Sequence, residues 1–240
     1  MNPTFSPLYQ QIKALLLEAL QNGEWKPGEM IPAETELAGR YGVSQGTVRK
    51  AIDELASDNL VVRRQGRGTF VATHNEAKAQ YRFLRLEPDG GEVAGHPSST
   101  YLKLEKARAP AQVAKLLSIK TSESVFLVQR VLSFAGKPVV FDEIYLPASQ
   151  YKGLDLQSLI EWQGSLYGFL ETCFGVRMLR ATEKIKAVKA QARHSEYLGI
   201  SENEPLLHVE RLSRTYSDRP VELRKGWYLT DGFVYRNELY

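Results

Sequence analysis

Five residues between positions 44 and 49 have the properties that proteins use to read DNA: Ser44, Gln45, Gly46, Thr47 and Arg49. Glutamine pairs bidentately with adenine, and arginine binds a phosphate or guanine. Hydroxyl groups can bond to phosphates or bases, and a glycine lets the backbone approach closely. The N-terminal end of a recognition helix enters the major groove first, so this pattern predicts a DNA-contacting helix.

A second basic segment lies at the tip of a predicted hairpin within residues 60–72. Arg64, Gln65, Gly66 and Arg67 separate two short alternating segments, as is typical of two strands and a turn. Gly66 and a second glycine two residues later let the tip approach the sugar–phosphate backbone or the minor groove, and the arginines supply charge. The hairpin is therefore a candidate wing.

The histidines and the single cysteine form no catalytic or metal-binding pattern. The four histidines lack ligand spacing, and the chain has no CxxC, GxGxxG or phosphate-loop motif. No GxSxG marks a nucleophile, although a Ser-His-Asp triad stays open from sequence alone. Cys173 excludes an internal disulfide, and its apolar neighbours predict a buried thiol. We expect no metal and no cofactor.

Three helices would position the residues at 44–49. Apolar residues three and four apart predict helices at about 7–22, 33–41 and 45–57. Gly42 stops the second helix, and a serine caps the third. Two short helices joined by a glycine-containing turn and followed by a hairpin make a winged helix-turn-helix. From pattern alone, a small helical domain with solvated charges is the alternative.

The rest of the chain mixes strands with helices. Strand signals lie at 101–105, 124–134, 139–146, 176–188, 206–216 and 221–228, and helix signals at 110–117, 165–174 and 190–198. Turn residues at 136–138 and 217–220 favour antiparallel hairpins with helices on one face. We predict an α+β protein with a winged helix-turn-helix at 1–72, a polar linker at 73–80 and a second domain at 81–240.

Charge and hydropathy limit the partners. The net charge of +3 does not by itself indicate nucleic-acid binding, but residues 40–67 contain six basic and three acidic side chains. Such a stripe can bind phosphates by releasing counterions. The N-terminus lacks the apolar core of a signal peptide, and no apolar run reaches the roughly 18–20 residues of a membrane span. These features predict a cytoplasmic protein without a membrane partner.

Through the predicted helices and hairpin described above, the chain resembles the GntR family of bacterial regulators. The resemblance runs from PLYQQIK through KPGEMIPAETELAGRYGVSQGTVRKAIDELASDNLVVRRQGRGTFV, about residues 7–72. It implies DNA contacts at Thr35, Ser44, Gln45, Thr47, Arg49, Gln65 and Gly66. Two positions depart from the family pattern: Gln45 replaces a usual arginine, and Ala33 replaces a frequent serine. The glutamine should weaken guanine readout and change the operator.

Residues 81–238 resemble the UTRA effector-binding domain of the HutC subgroup, which has a chorismate-lyase-like fold. The resemblance depends on Arg130, FAGKP, VVFDEIYLP, GSLYGFLE, a Leu-Gly-Ile helix end, PLLHVERL and DRPVELRKGWY in order. It implies an effector pocket formed by Arg130, Glu143, Ser165, Tyr167, Glu222 and Tyr228. Members that bind sugar phosphates have a second arginine where this chain has Leu132. That difference favours a carboxylate over a phosphate as effector.

The implied pocket chemistry is that of anion binding. Ser165 lies at a predicted helix start, where free N–H groups hold anions, and Arg130 offers a planar fork. Glu143 or Glu222 could instead be a solvated strand residue, and Tyr167 could belong to the core. If either glutamate neutralises Arg130 directly, the pocket loses its preference for anions.

These features favour an effector-responsive DNA-binding regulator, a repressor released by a small anionic metabolite. Because two-fold proteins read palindromes, we expect a homodimer on double-stranded operator DNA. A lyase acting on an aromatic acid is the enzyme alternative, and an architectural DNA-binding protein without an effector is the other. An aminotransferase-like module would need more chain than residues 81–240 provide. We therefore expect no enzyme activity.

Overall fold

The computed structural model describes residues 6–75, 84–90 and 97–237. The chain divides into two compact units, residues 1–73 and 74–240. The described part of the first unit contains three helices and a two-stranded antiparallel hairpin: α1 (Leu8–Gln21), α2 (Glu34–Tyr41), α3 (Gln45–Ser57), β1 (Val61–Arg64) and β2 (Gly68–Val71). This is the predicted winged helix-turn-helix.

Helical spacing explains how the first unit packs. Val48, Ala51, Ile52 and Leu55 lie on one stripe of α3 and are fully buried. That stripe packs against α1 and α2. Gly42 ends α2 with φ at +65°, a left-handed conformation that costs glycine little. The turn after it places the first turn of α3 on the outside of the unit.

The second unit is built around one six-stranded sheet. Its helices are α4 (Ala111–Leu117), α5 (Leu156–Glu161), α6 (Leu166–Phe174) and α7 (Ala192–Leu198). Its strands are β3 (Leu86–Pro88), β4 (Ser98–Arg108), β5 (Ser124–Phe134), β6 (Lys137–Pro147), β7 (Arg180–Lys189), β8 (Pro205–Arg214), β9 (Pro220–Tyr228) and β10 (Phe233–Tyr235). The large sheet has the order β4-β5-β6-β9-β8-β7, and β3 pairs with β10. Every pair is antiparallel, which confirms the α+β prediction.

Helices cover both faces of the large sheet, so the expectation of helices on one face is wrong. Val125 of β5 packs in a cluster with residues of α4, whereas Val128 packs with residues of α6. These two positions lie on opposite faces because side chains alternate along a strand. Strands β5 and β6 are buried along most of their length, as strands covered on two sides must be.

One smaller expectation also needs correction. Cys173 lies in the last turn of α6 and is exposed, because its neighbours Phe169 and Leu170 fill the core one turn earlier. The predicted linker at 73–80 falls mostly outside the described residues. Of the part that is described, His74 and Asn75 bond to residues of α6.

Candidate functional site

The first turn of α3 presents polar side chains on the surface of the first unit. Ser44 is the N-cap, and its Oγ accepts from the Thr47 N–H at 3.2 Å and lies 2.9 Å from Thr47 Oγ1. Ser44 and Thr47 are therefore organised by the cap before any ligand arrives. Gly46 is exposed beside them, and only Ser44 Oγ lies near the position of an added Cβ. A ligand backbone can approach this turn closely.

Gln45 and Arg49 share one carboxylate, that of Glu34. Gln45 Nε2 lies 3.2 Å from Glu34 Oε2, and Arg49 Nε lies 3.0 Å from the same oxygen. Arg63 of β1 approaches Glu34 Oε1 at 3.1 Å. Neither Glu34 nor Arg63 was a predicted site residue. Glu34 gave no signal in the sequence, because an acid in the first turn of a helix is explained by the helix dipole alone.

The hairpin tip completes this surface. Gly66 has φ at +69°, which allows the tight turn. Arg64 lies over the ring of Phe70 at 4.4 Å, whereas Gln65 and Arg67 are exposed at the tip. A shallow groove runs from the start of α2 to the tip and is lined by five predicted contact residues: Thr35, Gln45, Arg64, Gln65 and Gly66. The structure thus brings the helix and wing residues to one side of the unit.

A cavity that is open to solvent lies over the large sheet of the second unit. Its lining includes three of the six predicted pocket residues, Arg130, Ser165 and Tyr167. Arg211 of β8 and Arg224 of β9 also line it. Among the lining residues that the structure describes, three are arginines and none is acidic.

Each cavity arginine has a carboxylate partner that does not line the cavity. Arg130 Nη2 lies 2.9 Å from Asp142 Oδ2, and Arg224 Nη2 lies 2.6 Å from Glu222 Oε1. Arg211 Nε lies 2.5 Å from a Glu183 oxygen. The guanidinium groups therefore lie closer to the cavity than the charges that balance them. Glu222 Oε2 also accepts from the Ser213 and Tyr167 hydroxyls, at 2.6 and 2.7 Å.

The ionisation of this network follows from burial and pairing. Burial opposes the charge on Glu222, but Arg224 and the Ser213 and Tyr167 hydroxyls outweigh it, and the pKa of Glu222 is lowered. Burial raises the pKa of Tyr167, so its hydroxyl stays protonated and donates to Glu222. Burial likewise raises the pKa of Tyr228 to about 12.

Three predicted pocket residues do not line the cavity. Glu143 lies on the opposite face of the sheet, where it binds Arg193 at 2.9 Å, because Asp142 takes the position opposite Arg130. Glu222 lies behind Arg224 and Tyr167. Tyr228 is 2% exposed and packs in the core next to Gly226. Arg130 is neutralised by Asp142, a residue that the sequence reasoning did not consider.

Helix α6 connects the cavity with the start of the second unit. Its N-cap, Ser165, lines the cavity and accepts from the Gly168 N–H at 3.1 Å. Further along α6, Glu171 Oε2 accepts the His74 N–H at 2.8 Å. Asn75 Nδ2 donates to Thr172 Oγ1 at 3.0 Å.

The His74 ring adds to this attachment. Its Nε2 lies 2.9 Å from the Met178 carbonyl oxygen, and its centroid lies 5.6 Å from that of Tyr167. The segment that follows the first unit is therefore fixed to the helix that begins at the cavity.

Within 6–75, 84–90 and 97–237, no three His, Cys, Asp or Glu residues are grouped as a metal site would require. In the same ranges, no helix has the length and apolar character needed to span a membrane.

Each of the two units matches a known protein family. The profile of the bacterial regulatory proteins of the gntR family matches residues 8–71, and that of the UTRA domain matches residues 93–234. The chain is 28% identical to the mannosyl-D-glycerate transport/metabolism system repressor MngR of Escherichia coli, over 95% of this chain and 94% of that protein. It is 25% identical to the repressor NagR of Bacillus subtilis, over 95% and 93%.

Solved structures of GntR-family proteins resemble this chain as well. The ligand-binding domain of a GntR-family regulator from Bordetella bronchiseptica superposes with a TM-score of 0.66 at 43% identity, covering 67% of this chain and 99% of that one. PhnF of Mycobacterium smegmatis superposes with a TM-score of 0.56 at 25% identity, covering 95% and 99%. Since this family consists of transcription regulators, the lyase alternative falls away. The chain belongs to the GntR family of DNA-binding transcription regulators, in the HutC subgroup whose second domain is a UTRA domain.

Proposed function

We propose that this chain is a dimeric, cytoplasmic repressor that leaves its operator when a small anionic metabolite occupies the cavity of the second unit. The observation that carries the proposal is the cavity lining, with three arginines and the first turn of α6. In this proposal the first unit binds DNA and the second binds the effector. The repressors MngR and NagR match this chain over more than nine-tenths of their own length, across both units, which supports the assignment of the two roles.

The arrangement of charge favours an oxyanion. Guanidinium groups offer N–H donors in a planar fork that matches carboxylate and phosphate oxygens. The balancing carboxylates lie behind these donors, so a ligand in the cavity meets the positive groups first. N–H groups in the first turn of α6 add donors of the same kind. Leu132 in the lining limits the charge there, which favours a carboxylate over a phosphate.

The proposed DNA contacts are the residues of the exposed helix turn, the start of α2 and the wing. They are Thr35, Ser44, Gln45, Gly46, Thr47, Arg49, Arg64, Gln65, Gly66 and Arg67. The groove between the start of α2 and the hairpin tip supports this choice, because it gathers groups for base edges and for phosphates on one surface.

The proposed coupling runs along α6. An effector that orders the first turn of α6 acts on the helix that holds His74 and Asn75, directly after the last residue of the first unit. A ligand changes DNA affinity only by binding the DNA-competent and incompetent states differently. Couplings of this kind are typically about 1–3 kcal/mol, or roughly 5–150-fold in operator affinity.

A thermal-shift screen of amino acids, organic acids and phosphosugars identifies the effector class, because a ligand that binds the folded state raises Tm. Calorimetry with the best compound then compares wild type with Arg130→Lys. The matched control is Arg193→Lys, which alters an arginine–carboxylate pair of the same 2.9 Å separation on the other face of the sheet. We expect Arg130→Lys to weaken binding at least tenfold and Arg193→Lys to leave it unchanged.

Operator binding with and without the same compound tests the response. The operator is obtained by selecting wild-type sites from a randomised duplex library. We expect the compound to weaken operator binding at least fivefold. Equal loss of affinity in both lysine variants, or operator affinity unchanged within a factor of two, would refute the sensor mechanism.

A further inference from the structure

Glu34 lies at the centre of the groups proposed to contact DNA. It is the first residue of α2, and its carboxylate accepts from Gln45 and Arg49 of α3 and pairs with Arg63 of β1. One acidic side chain therefore connects the second helix, the recognition helix and the wing hairpin. Asp53 also binds Nη2 of Arg63, at 2.7 Å, but makes no such contact with Gln45 or Arg49.

Exposure distinguishes the carboxylate from the groups that it holds. The side chain of Glu34 is 16% exposed, whereas that of Arg49 is 57% exposed. Glu34 therefore lies beneath the surface, and the basic and amide groups lie above it. Burial opposes ionisation of Glu34, but the bonds from Arg49 and Gln45 outweigh it and lower its pKa. The carboxylate is charged at neutral pH and cannot move aside without leaving these donors.

We propose that Glu34 is a positioning residue that determines sequence specificity: its carboxylate orients Gln45 and Arg49 toward base edges, and its charge opposes binding to DNA of any sequence. This inference depends on the DNA contacts of Gln45 and Arg49 proposed above. Ordering long side chains before binding removes part of the entropic cost of ordering them on DNA. A negative charge near the phosphates weakens the sequence-independent attraction that every duplex exerts.

The two effects of Glu34 have opposite signs on two measurable affinities. Removing its charge should tighten binding to a random duplex, because Arg49 and Arg63 lose their internal counterion. It should also reduce the preference for the operator, because Gln45 and Arg49 lose the group that orients them. A purely structural role of Glu34 in the first unit predicts a different result, in which both affinities fall together.

The experiment measures the affinities of full-length Glu34→Gln for two duplexes over a range of salt concentrations. One duplex carries the site selected with wild-type protein, and the other has a random sequence. We expect random-duplex binding to tighten about fivefold, which corresponds to on the order of 1 kcal/mol for one unit charge at about 4 Å in water. We expect the operator preference to fall at least fivefold, and the slope of log K against log salt to steepen by about 0.9 for each phosphate gained.

Glu36→Gln is the matched control. Glu36 lies on the same helix and lines the same groove, but its carboxylate accepts the Ala33 N–H at 2.8 Å, which a glutamine oxygen can also accept. It removes the same charge without releasing an arginine, so it should affect the two duplexes alike and keep the operator preference of wild type. Glu34→Asp keeps the charge but shortens the reach, so it should lose operator preference without gaining random-duplex affinity.

The outcomes separate this inference from the proposed function. If Glu34→Gln weakens both duplexes in parallel, or behaves like Glu36→Gln, the inference is wrong. Arg49→Ala, measured beside them, tests the DNA contact itself. A change in Arg49→Ala with none in Glu34→Gln overturns only the inference. Unchanged affinity and slope in Arg49→Ala overturn the proposed contact, and the inference with it.

Discussion

At the scale of single residues, the cavity depends on pairs in which a carboxylate supports a buried arginine. Asp142, Glu222 and Glu183 together hold the three guanidinium groups in place, so the donors are fixed before a ligand arrives. Pairs of this kind add little net stability, but the loss of one partner leaves an uncompensated buried charge. The arrangement thus favours a precise site over a more stable domain.

Glu222→Gln should destabilise the second unit by about 3 kcal/mol at pH 7, because Arg224 would keep its charge without its main partner. The pKa of Glu222 is lowered in the folded protein, so its contribution is complete above the ordinary glutamate pKa and is lost as pH falls through the lowered value. Urea unfolding at pH 7 and in steps below pH 5 should show the difference from wild type shrinking in acid.

Glu210→Gln serves as the control for that change. Glu210 pairs with Lys184 at 3.4 Å, and the lysine side chain is 73% exposed. An exposed pair is worth about 0–1 kcal/mol. A loss in Glu222→Gln no larger than in this control would show that the buried pair does not support the unit.

Gln45→Arg should shift base preference toward guanine at one position of each half-site, because arginine suits guanine and glutamine suits adenine. Glu34 lies within reach of the new side chain and would hold it as it holds Gln45. Site selection from a randomised library, run in parallel with both proteins, measures the shift. Identical consensus sequences would mean that Gln45 does not read a base.

The limits of sequence reasoning are clearest at this scale. Arg130 and Ser165 could be identified because a motif and a helix start marked them. Glu143 was chosen where Asp142 pairs with Arg130 on the cavity's face of the sheet, since a motif does not reveal which of two adjacent strand residues points to a given side. Arg211 and Arg224 were missed, although each occupies a buried position in a strand, and a charge at such a position is itself a signal.

At the scale of elements, alternation and turn residues predicted the six long strands within a few residues. The three-residue strands β3 and β10 and the six-residue helix α5 were missed, because such segments are too short to show a period. The placement of helices on both faces of the sheet was missed for another reason. Almost continuous burial in β5 and β6 indicates two covered faces, but it resembles a plain apolar run in the sequence.

Gly226→Ala should destabilise the second unit by about 1–3 kcal/mol through overpacking. A Cβ at this position of β9 would lie 2.5 Å from Tyr228 Cε2 and 2.8 Å from Asp142 Oδ1. Tyr228 is 2% exposed and has no room to move. Thermal unfolding measures the loss, with Gly90→Ala as control, since nothing lies within 4 Å of a Cβ there. Equal Tm values for the two variants would contradict the close packing around Gly226.

At the scale of the whole molecule, one winged helix offers only a small surface to DNA. Single modules of this size bury roughly 600–1,000 Å² on DNA, and two-fold proteins gain affinity by reading two half-sites. We therefore expect the full chain to scatter light with twice the mass of one chain at micromolar concentration. A strict monomer, both alone and with the selected operator duplex, would contradict the proposed dimer.

The bond from the His74 N–H to Glu171 makes one backbone amide a reporter for the cavity. An amide proton exchanges with solvent only when its hydrogen bond opens, so its exchange rate measures the free energy of local opening. An effector that orders the first turn of α6 should slow exchange at His74, whereas the Leu229 amide, bonded to Val139 within the sheet, should not respond. Gly168→Ala should abolish the response, because its Cβ would come into contact with Asn75 Oδ1. If the His74 amide exchanges equally fast with and without bound effector, α6 does not couple effector binding to DNA binding. The coupling must then run through another part of the chain.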